Sequence, residues 1–350
     1  MRSALTRRVA FCLIGAVLFA AAGYLGNRIS PVYQDPDFAW VSARSPGAGP
    51  IGPKPAASQV AVTLGNSHSV AIDFDALTMS GRHLWMSGAD TVEAAVVARH
   101  AVAVPSLRAI FMPVFPENLY LDNAGRRAEP RLRTYQLMFT NGDLRLLGDD
   151  YLGWIRWALS FIQRPDRWRG VVRAVFCDDP PCDAPYPRTR LWQQADPLGR
   201  ESVARTVGEI YVMIEPRLGK RRQLATSLAA LEEAARAATA RGIPLVLFAA
   251  PVSTPLERRL DERVLRAGHS MEAAKAGFND WLRDARGRGL CVTYADRLWD
   301  PASDGWNAAF YRDPQHLNPP GAREFSGRLA RQIEPLPACA PTLAKGAARR

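Results

Sequence analysis

A chain of 350 residues, 47% of them hydrophobic, is long enough for one large core or for one core carrying an inserted lobe. The formal net charge is +11, from 45 Lys+Arg against 34 Asp+Glu. The bases are scattered among alanines with no aromatic–basic patch, which argues against nucleic acid and leaves an anionic lipid or polysaccharide, or a plain Arg-rich solvated face.

The first elements read as an export signal. Arg2, Arg7 and Arg8 (a basic flank over residues 1–8) precede an apolar run at 9–26 with no charge before Arg28. The run is near the lower limit for a spanning helix, so the spacing predicts a single-pass anchor in the inner (cytoplasmic) membrane, with the bulk of the chain extracytoplasmic. Ala20-Ala21-Ala22 leaves a cleaved signal peptide as the rival reading. Residues 27–58, rich in Pro, Gly and Ser, read as a linker to a domain at 59–335, and 336–350 as a tail.

Within that domain short apolar runs alternate with helical patterns. Strands are expected in "SQVAVTL" (58–64), "RHLWMSG" (82–88), "LRAIFMPVF" (107–115), "IPLVLFAAPVS" (243–253) and "LCVTYADRL" (290–298). Helices are expected at 90–104, capped by Asp90, at 224–242 and 271–289, each closed by glycine, and at 318–333, with prolines at its start. Continuous apolar strands between helices imply an α/β three-layer sandwich around a central, mostly parallel, five-stranded sheet. The alternation breaks at about 116–222, read as an insertion forming a lid or side lobe. Its run "YLGWIRWALSFI" is short for a bilayer span and suits core packing or a membrane surface; Trp154, Trp157 and Trp168 suit packing, or stacking on sugar rings.

Four cysteines lie beyond the apolar start: Cys177, Cys182, Cys291 and Cys339. In an oxidising compartment an even number predicts disulfides, Cys177–Cys182 across a short turn and Cys291 with Cys339. No second Cys/His pair has ligand spacing, so no metal is expected, and no nucleotide loop is visible, so no cofactor.

In an α/β sheet, functional groups gather at the carboxyl ends of strands. Ser67 in "LGNSHS" follows the first strand, Gly88 in "LWMSGADTVEA" the second, and "FYRDPQHLNPPGA" holds Asp313 and His316. Three residues apart in one turn, the carboxylate can hold one imidazole nitrogen and leave the other to accept a serine proton. The backbone N–H groups of Ser67 and Gly88 would supply oxyanion donors. As separate features, Ser67 is a plain helix cap and Asp313 a plain turn residue; together they read as a site. His68 is not expected to be the base, because adjacent side chains diverge; it is placed to line the cleft or make a structural hydrogen bond.

These three blocks resemble the first, second and last blocks of the SGNH (GDSL-like) hydrolase superfamily. With the N-terminal anchor and the "GNSH" turn they resemble the membrane-anchored SGNH-like proteins of envelope acylation, of the alginate acetylation and D-alanyl transfer type. The resemblance covers residues 59–115 and 223–335. It implies an SGNH/flavodoxin-like fold, with Ser67 as nucleophile, His316 as base, Asp313 as its orienting acid and Gly88 as an oxyanion donor. The superfamily's third block, Gly-x-Asn-Asp, is missing after "MPVFPENLY"; Asn118 and Asn66 are the candidate replacements. The implied activity is serine-dependent O-acyl transfer to an envelope glycan, with a membrane O-acyltransferase as possible partner. The alternatives are an SGNH esterase that removes acyl groups and a non-catalytic scaffold or glycan-binding module.

Overall fold

The computed structural model describes residues 60–124, 129–163, 198–295 and 308–333, together with positions 15, 18, 21 and 196. Apart from those single positions, the apolar start, the linker, Trp168, Cys177, Cys182, Cys339 and the tail lie outside the described residues. Among the described residues no helix is long and apolar enough to cross a membrane.

Five strands form one sheet: β1 (Val60–Thr63), β2 (Ser80–His83), β3 (Leu107–Pro113), β4 (Leu245–Phe248) and β5 (Val292–Ala295). Their order is β2-β1-β3-β4-β5 and every pairing is parallel. The fold is therefore α/β, as expected, and consistent with an SGNH or flavodoxin-like sheet. All four residues of β1 and of β4 are buried, and β3 exposes only Arg108, which is why these segments read as uninterrupted apolar runs. The edge strand β2 departs from expectation. Ladder pairing ends at His83, upstream of the buried Leu84 and Met86. Those two residues still donate their N–H groups to Thr63 and Gly65 carbonyls, at 2.8 Å each, so the segment follows the chain leaving β1 rather than the strand itself.

Helices cover both faces. On one, α1 (Thr91–Ala101), α5 (Arg221–Ala240) and α7 (Glu272–Gly287) pack; Asp90 caps α1 in a reciprocal box with Glu93, each donating a backbone N–H to the other's carboxylate at 2.8 Å. On the other face Ala61, Phe111, Val246 and Phe248 meet Phe325 and Leu329 of α8 (Pro319–Ile333). Two further helices, α4 (Arg200–Ile214) and α6 (Thr254–Arg266), pack against each other in the same unit. A short antiparallel pair, β6 (Tyr311–Asp313) and β7 (His316–Leu317), precedes α8.

The chain divides into two units, Gly49–Asn123 with Thr189–Arg350, which holds the sheet, and Met1–Ala48 with Ala124–Arg188. Of the stretch read as an insertion, only 124–188 falls in the second unit, because α4 joins the sheet unit. The second unit's described part is α2 (Glu129–Thr140) and α3 (Tyr151–Gln163). Buried Arg131 lies 3.6 Å from Asp150, and Trp157 is buried against Phe139, with its indole N–H donating to Gln136 at 3.2 Å. Trp157 thus serves packing, whereas Trp154 is 39% exposed.

Gly65 ends β1 at φ +96°, and a Cβ there would lie 3.2 Å from the Pro113 ring. Gly65→Ala is expected to cost about 1–3 kcal/mol of stability from backbone strain alone. Urea unfolding checks this; an unchanged midpoint would show that the turn does not need glycine.

Candidate active site

Residue Ser67 is the first residue of a 3₁₀ turn, Ser67–Ala71, that begins as soon as Gly65 has reversed the backbone. Asn66 caps the turn: its buried side-chain oxygen accepts the His68 N–H at 3.0 Å. Ser69 donates to the Leu64 carbonyl, closing the bend from inside. On the far side Ser326 of α8 donates to the Ala71 carbonyl at 3.1 Å and accepts the Asp73 N–H at 2.7 Å. The turn is therefore held at both ends, and the Ser67 side chain is left partly accessible.

Its hydroxyl meets the β6–β7 hairpin. Ser67 Oγ lies 2.7 Å from His316 Nε2, and His316 Nδ1 lies 2.8 and 2.9 Å from the two carboxylate oxygens of Asp313. The same carboxylate accepts the backbone N–H groups of Gln315 (3.0 Å) and His316 (2.9 Å), so it builds the turn and holds the ring together. Burial alone would raise the Asp313 carboxyl. The hydrogen bond and charge of His316, the Gln315 N–H and the Arg312 guanidinium outweigh it and hold the group at about 2. Arg312 Nε stands 3.3 Å from that carboxylate. The hairpin is fixed to the end of β4: Tyr311 donates its hydroxyl to the Val252 carbonyl at 3.1 Å, and Ser253 its N–H to Pro314 at 2.9 Å. With an ionised carboxylate on Nδ1, that nitrogen carries the proton and Nε2 offers its lone pair to the serine hydroxyl. A chain of carboxylate, imidazole and hydroxyl in this geometry is able to make a serine oxygen nucleophilic.

The loop after β2 carries Gly88, whose φ of +72° favours glycine, although a Cβ there would meet nothing within 4 Å. Backbone conformation, rather than crowding against a neighbour, is thus the structural reason for glycine at this position. Asn123 braces the loop: its side-chain amide donates to the Gly88 carbonyl at 3.0 Å and to Glu93 at 2.8 Å, and its backbone N–H donates to Asp90 at 2.9 Å. The Gly65 carbonyl accepting Met86 N–H ties this loop to the serine turn.

The remaining candidates divide. The His68 ring lies between those of Phe115 and His316, tilted by 50° and 30°, with centroids 4.6 and 5.0 Å away. Its Nδ1 is buried and has no hydrogen-bond partner among the described residues. Burial first, and then the neighbouring His316, push its pKa down to about 3, so the ring stays neutral. Asn118 sits in the 3₁₀ turn after β3 (Glu117–Tyr120); its carbonyl accepts the Leu121 N–H at 3.2 Å, and its side-chain nitrogen is buried without a partner among the described residues. Neither Asn66 nor Asn118 is hydrogen-bonded to Ser67 or His316, and the Asn66 side-chain oxygen is used as a cap. Cys291 is disulfide-bonded; both expected pairings involve residues outside the described ones. Among the described residues no group of three His, Cys, Asp or Glu is arranged to hold a metal ion.

Sequence reasoning missed Asn123, Glu93 and Arg312. Arg312 adjoins Asp313 and was within reach of a charge argument. Asn123 braces a loop 35 positions away and left no local signal.

An all-parallel α/β sheet with a serine at the end of β1, and an Asp–His hairpin before the last helix, is consistent with an SGNH-like fold. Residues 212–348 match the family model of the SGNH hydrolase-like domain of the acetyltransferase AlgX, which supports the SGNH-like family of alginate acetylation. The matched stretch contains Asp313 and His316, and Ser67 and Gly88 precede it. No curated protein matches the chain.

The neutral His68 has a consequence for acid stability. Unfolded, it takes a proton below about 6.5; folded, only near about 3. The unfolded chain then binds more protons, so stability falls as pH drops from about 6.5 towards 3, and the depressed Asp313 adds a further loss below its ordinary 3.8. Denaturant unfolding across pH 4–7 should give a shallower slope for His68→Phe than for the unaltered protein. Equal slopes would refute the neutral-histidine account.

Proposed function

We propose that the protein is an exported serine-dependent O-acyltransferase acting on an envelope glycan, tethered to the inner membrane by residues 9–26. The observation that carries this reading is the 2.7 Å contact from Ser67 Oγ to an imidazole whose other nitrogen is held by Asp313. The matching family model is that of an acetyltransferase, which favours acyl transfer over a scaffold role.

On this reading His316 takes the Ser67 proton as Oγ attacks the acyl carbonyl, and Asp313 stabilises the imidazolium that results. The backbone N–H groups of Ser67 and Gly88 receive the oxyanion. His316 then returns the proton to the leaving group, and an acyl-Ser67 ester remains. A glycan hydroxyl, deprotonated by the same imidazole, takes the acyl group in the second half. It has to outcompete water at about 55 M, which calls for a positioned acceptor. The donor would come from a membrane O-acyltransferase partner, and the net charge of +11 suits an anionic polysaccharide acceptor.

A serine-directed fluorophosphonate should give one adduct on Ser67, absent in Ser67→Ala and slowed in His316→Ala. Ser67→Ala and His316→Ala should each lower transfer by roughly 10³-fold or more, and the double variant should be no worse than either alone, because the two groups act as one unit. Asp313→Asn should cost no more than loss of His316. Labelling elsewhere, or unchanged envelope acylation in a Ser67→Ala strain, would return the protein to the scaffold reading.

A further inference from the structure

Helix α3 (Tyr151–Gln163) is apolar on two opposite sides. One side is used in packing: Gly153 and Trp157 are buried, the latter beside the Tyr135 and Phe139 rings of α2. The other side is open. Tyr151, Leu152 and Ile155 are 64, 60 and 45% exposed, and Ala158 and Leu159 are half-buried. At about 3.6 residues per turn these positions form one stripe opposite Trp157, flanked by Trp154 on one edge and by half-buried Arg156 on the other. Leu144, just before the helix, is exposed as well. In the sheet unit, large apolar side chains exposed to this degree stand singly among the described residues, Val212 on α4 and Leu265 on α6.

Length and chemistry restrict what covers the stripe. A helix apolar on all sides belongs in a core or against lipid. With 13 residues α3 is about 20 Å long, well short of a hydrocarbon core of about 30 Å, so it can lie along a bilayer but not cross it. Apart from the Tyr151 hydroxyl the stripe has no side-chain hydrogen-bonding group, so a glycan would lose water there without compensation. A tyrosine and a tryptophan with an arginine at the rim suit the boundary between acyl chains and headgroups. The rings are apolar with one polar edge, and the guanidinium reaches phosphate on an apolar stem. The chain also brings a bilayer to this helix. α3 belongs to the unit that contains residues 9–26, the apolar run with no charge before Arg28, and within that run Leu18 is a helical position 65% exposed. A segment tethered to a membrane meets it at an effective concentration of about millimolar, so a helix of weak interfacial affinity is enough to hold.

We propose that α3 is a second membrane contact: it lies in the plane of the bilayer that residues 9–26 enter, with Leu152, Ile155 and Leu159 among the acyl chains and Trp154 and Arg156 at headgroup level. The inference goes beyond the acyl-transfer reading and shares with it only the tether at 9–26. It does not depend on the chemistry at Ser67.

Two measurements on the full chain test it. The first uses nanodiscs of phosphatidylethanolamine and phosphatidylglycerol that contain a phospholipid with a diazirine in its acyl chain. Light should attach lipid to the tryptic peptides 146–156 and 9–28, and not to 206–217, which carries the exposed Val212. Replacing two stripe residues together, Leu152→Gln with Ile155→Gln, should lower labelling of 146–156 at least about tenfold and leave that of 9–28 unchanged. Both side chains are exposed, so the urea midpoint of this variant should not move. The second measurement needs no loss of binding: p-benzoylphenylalanine replaces Ile155, and native membranes are irradiated. The peptide should gain the mass of a phospholipid. Labelling of 9–28 without 146–156, equal labelling of 206–217, undiminished labelling in the double variant, or a benzophenone adduct to another protein, a second copy or residues 9–26 would overturn the proposal. Labelling of 146–156 without 9–28 would instead overturn the tether and leave α3 as the membrane contact, and labelling of neither would overturn both.

Discussion

The candidate site depends on one carboxylate. Asp313 accepts two backbone N–H groups from the residues that follow it and also both contacts from the His316 ring, so the same charge that closes the hairpin aims the imidazole. A carboxylate satisfied in this way resists protonation, which explains why Asp313 is held at about 2 despite its burial. Turn geometry and ring geometry therefore cannot vary independently. The hairpin's ties to Val252 and Ser253 extend that constraint to the end of β4, and Gly321 lets the first turn of α8 approach the Phe310 carbonyl, where a Cβ would stand 2.3 Å away. What the rest of the sheet contributes is the position of Ser67 opposite the hairpin.

That position is set by a second system, which meets the first at the Ser67–His316 hydrogen bond and the His68–His316 ring contact. Gly65, Asn66 and Ser69 shape the exit from β1, and Ser326 of α8 fastens it from beyond. Since α8 starts directly after the hairpin, one helix anchors both the hydroxyl and the imidazole. Shared anchorage of this kind keeps a 2.7 Å contact between residues 249 positions apart without the two segments packing directly over their whole length.

Much of this was legible in the sequence because it is local or periodic. Three of the five strands, β1, β3 and β4, are apolar along nearly all their length, and the capping of α1 by Asp90 is encoded within four residues. The Asp313–His316 spacing is likewise a within-turn relation. What escaped was contact across the fold. The strand expected at 82–88 was misplaced because burial of Leu84 and Met86 mimics a strand where only the loop off β1 is being followed. Asn123, Glu93 and Asp90 form one buried cluster around the Gly88 loop, and nothing near Asn123 in sequence announces it. The cavity lined by His68, Phe115 and Gln315 escaped too, since its walls come from seven separate stretches of chain.

The absence of the Gly-x-Asn-Asp block looks different with that cluster in view. In the resemblance, an asparagine after the third strand serves the oxyanion directly. Here the 3₁₀ turn after β3 holds Asn118, with a buried and unpartnered amide nitrogen among the described residues, and a few residues later Asn123 grips the Gly88 carbonyl. Donating to that carbonyl polarises and orients the peptide group behind Gly88, while the positive φ at Gly88 sets the direction of its own N–H. The loop is thereby preorganised by a network whose members are all satisfied, the condition under which buried polar groups rigidify rather than weaken a fold. On the proposed reading, what the missing block would have supplied as a side-chain donor is offset by a backbone donor held still. A site so built relies on geometry at Gly88 more than on donor number, and it places the demand for rigidity on Asp90, Glu93 and Asn123 rather than on any residue that touches the acyl group.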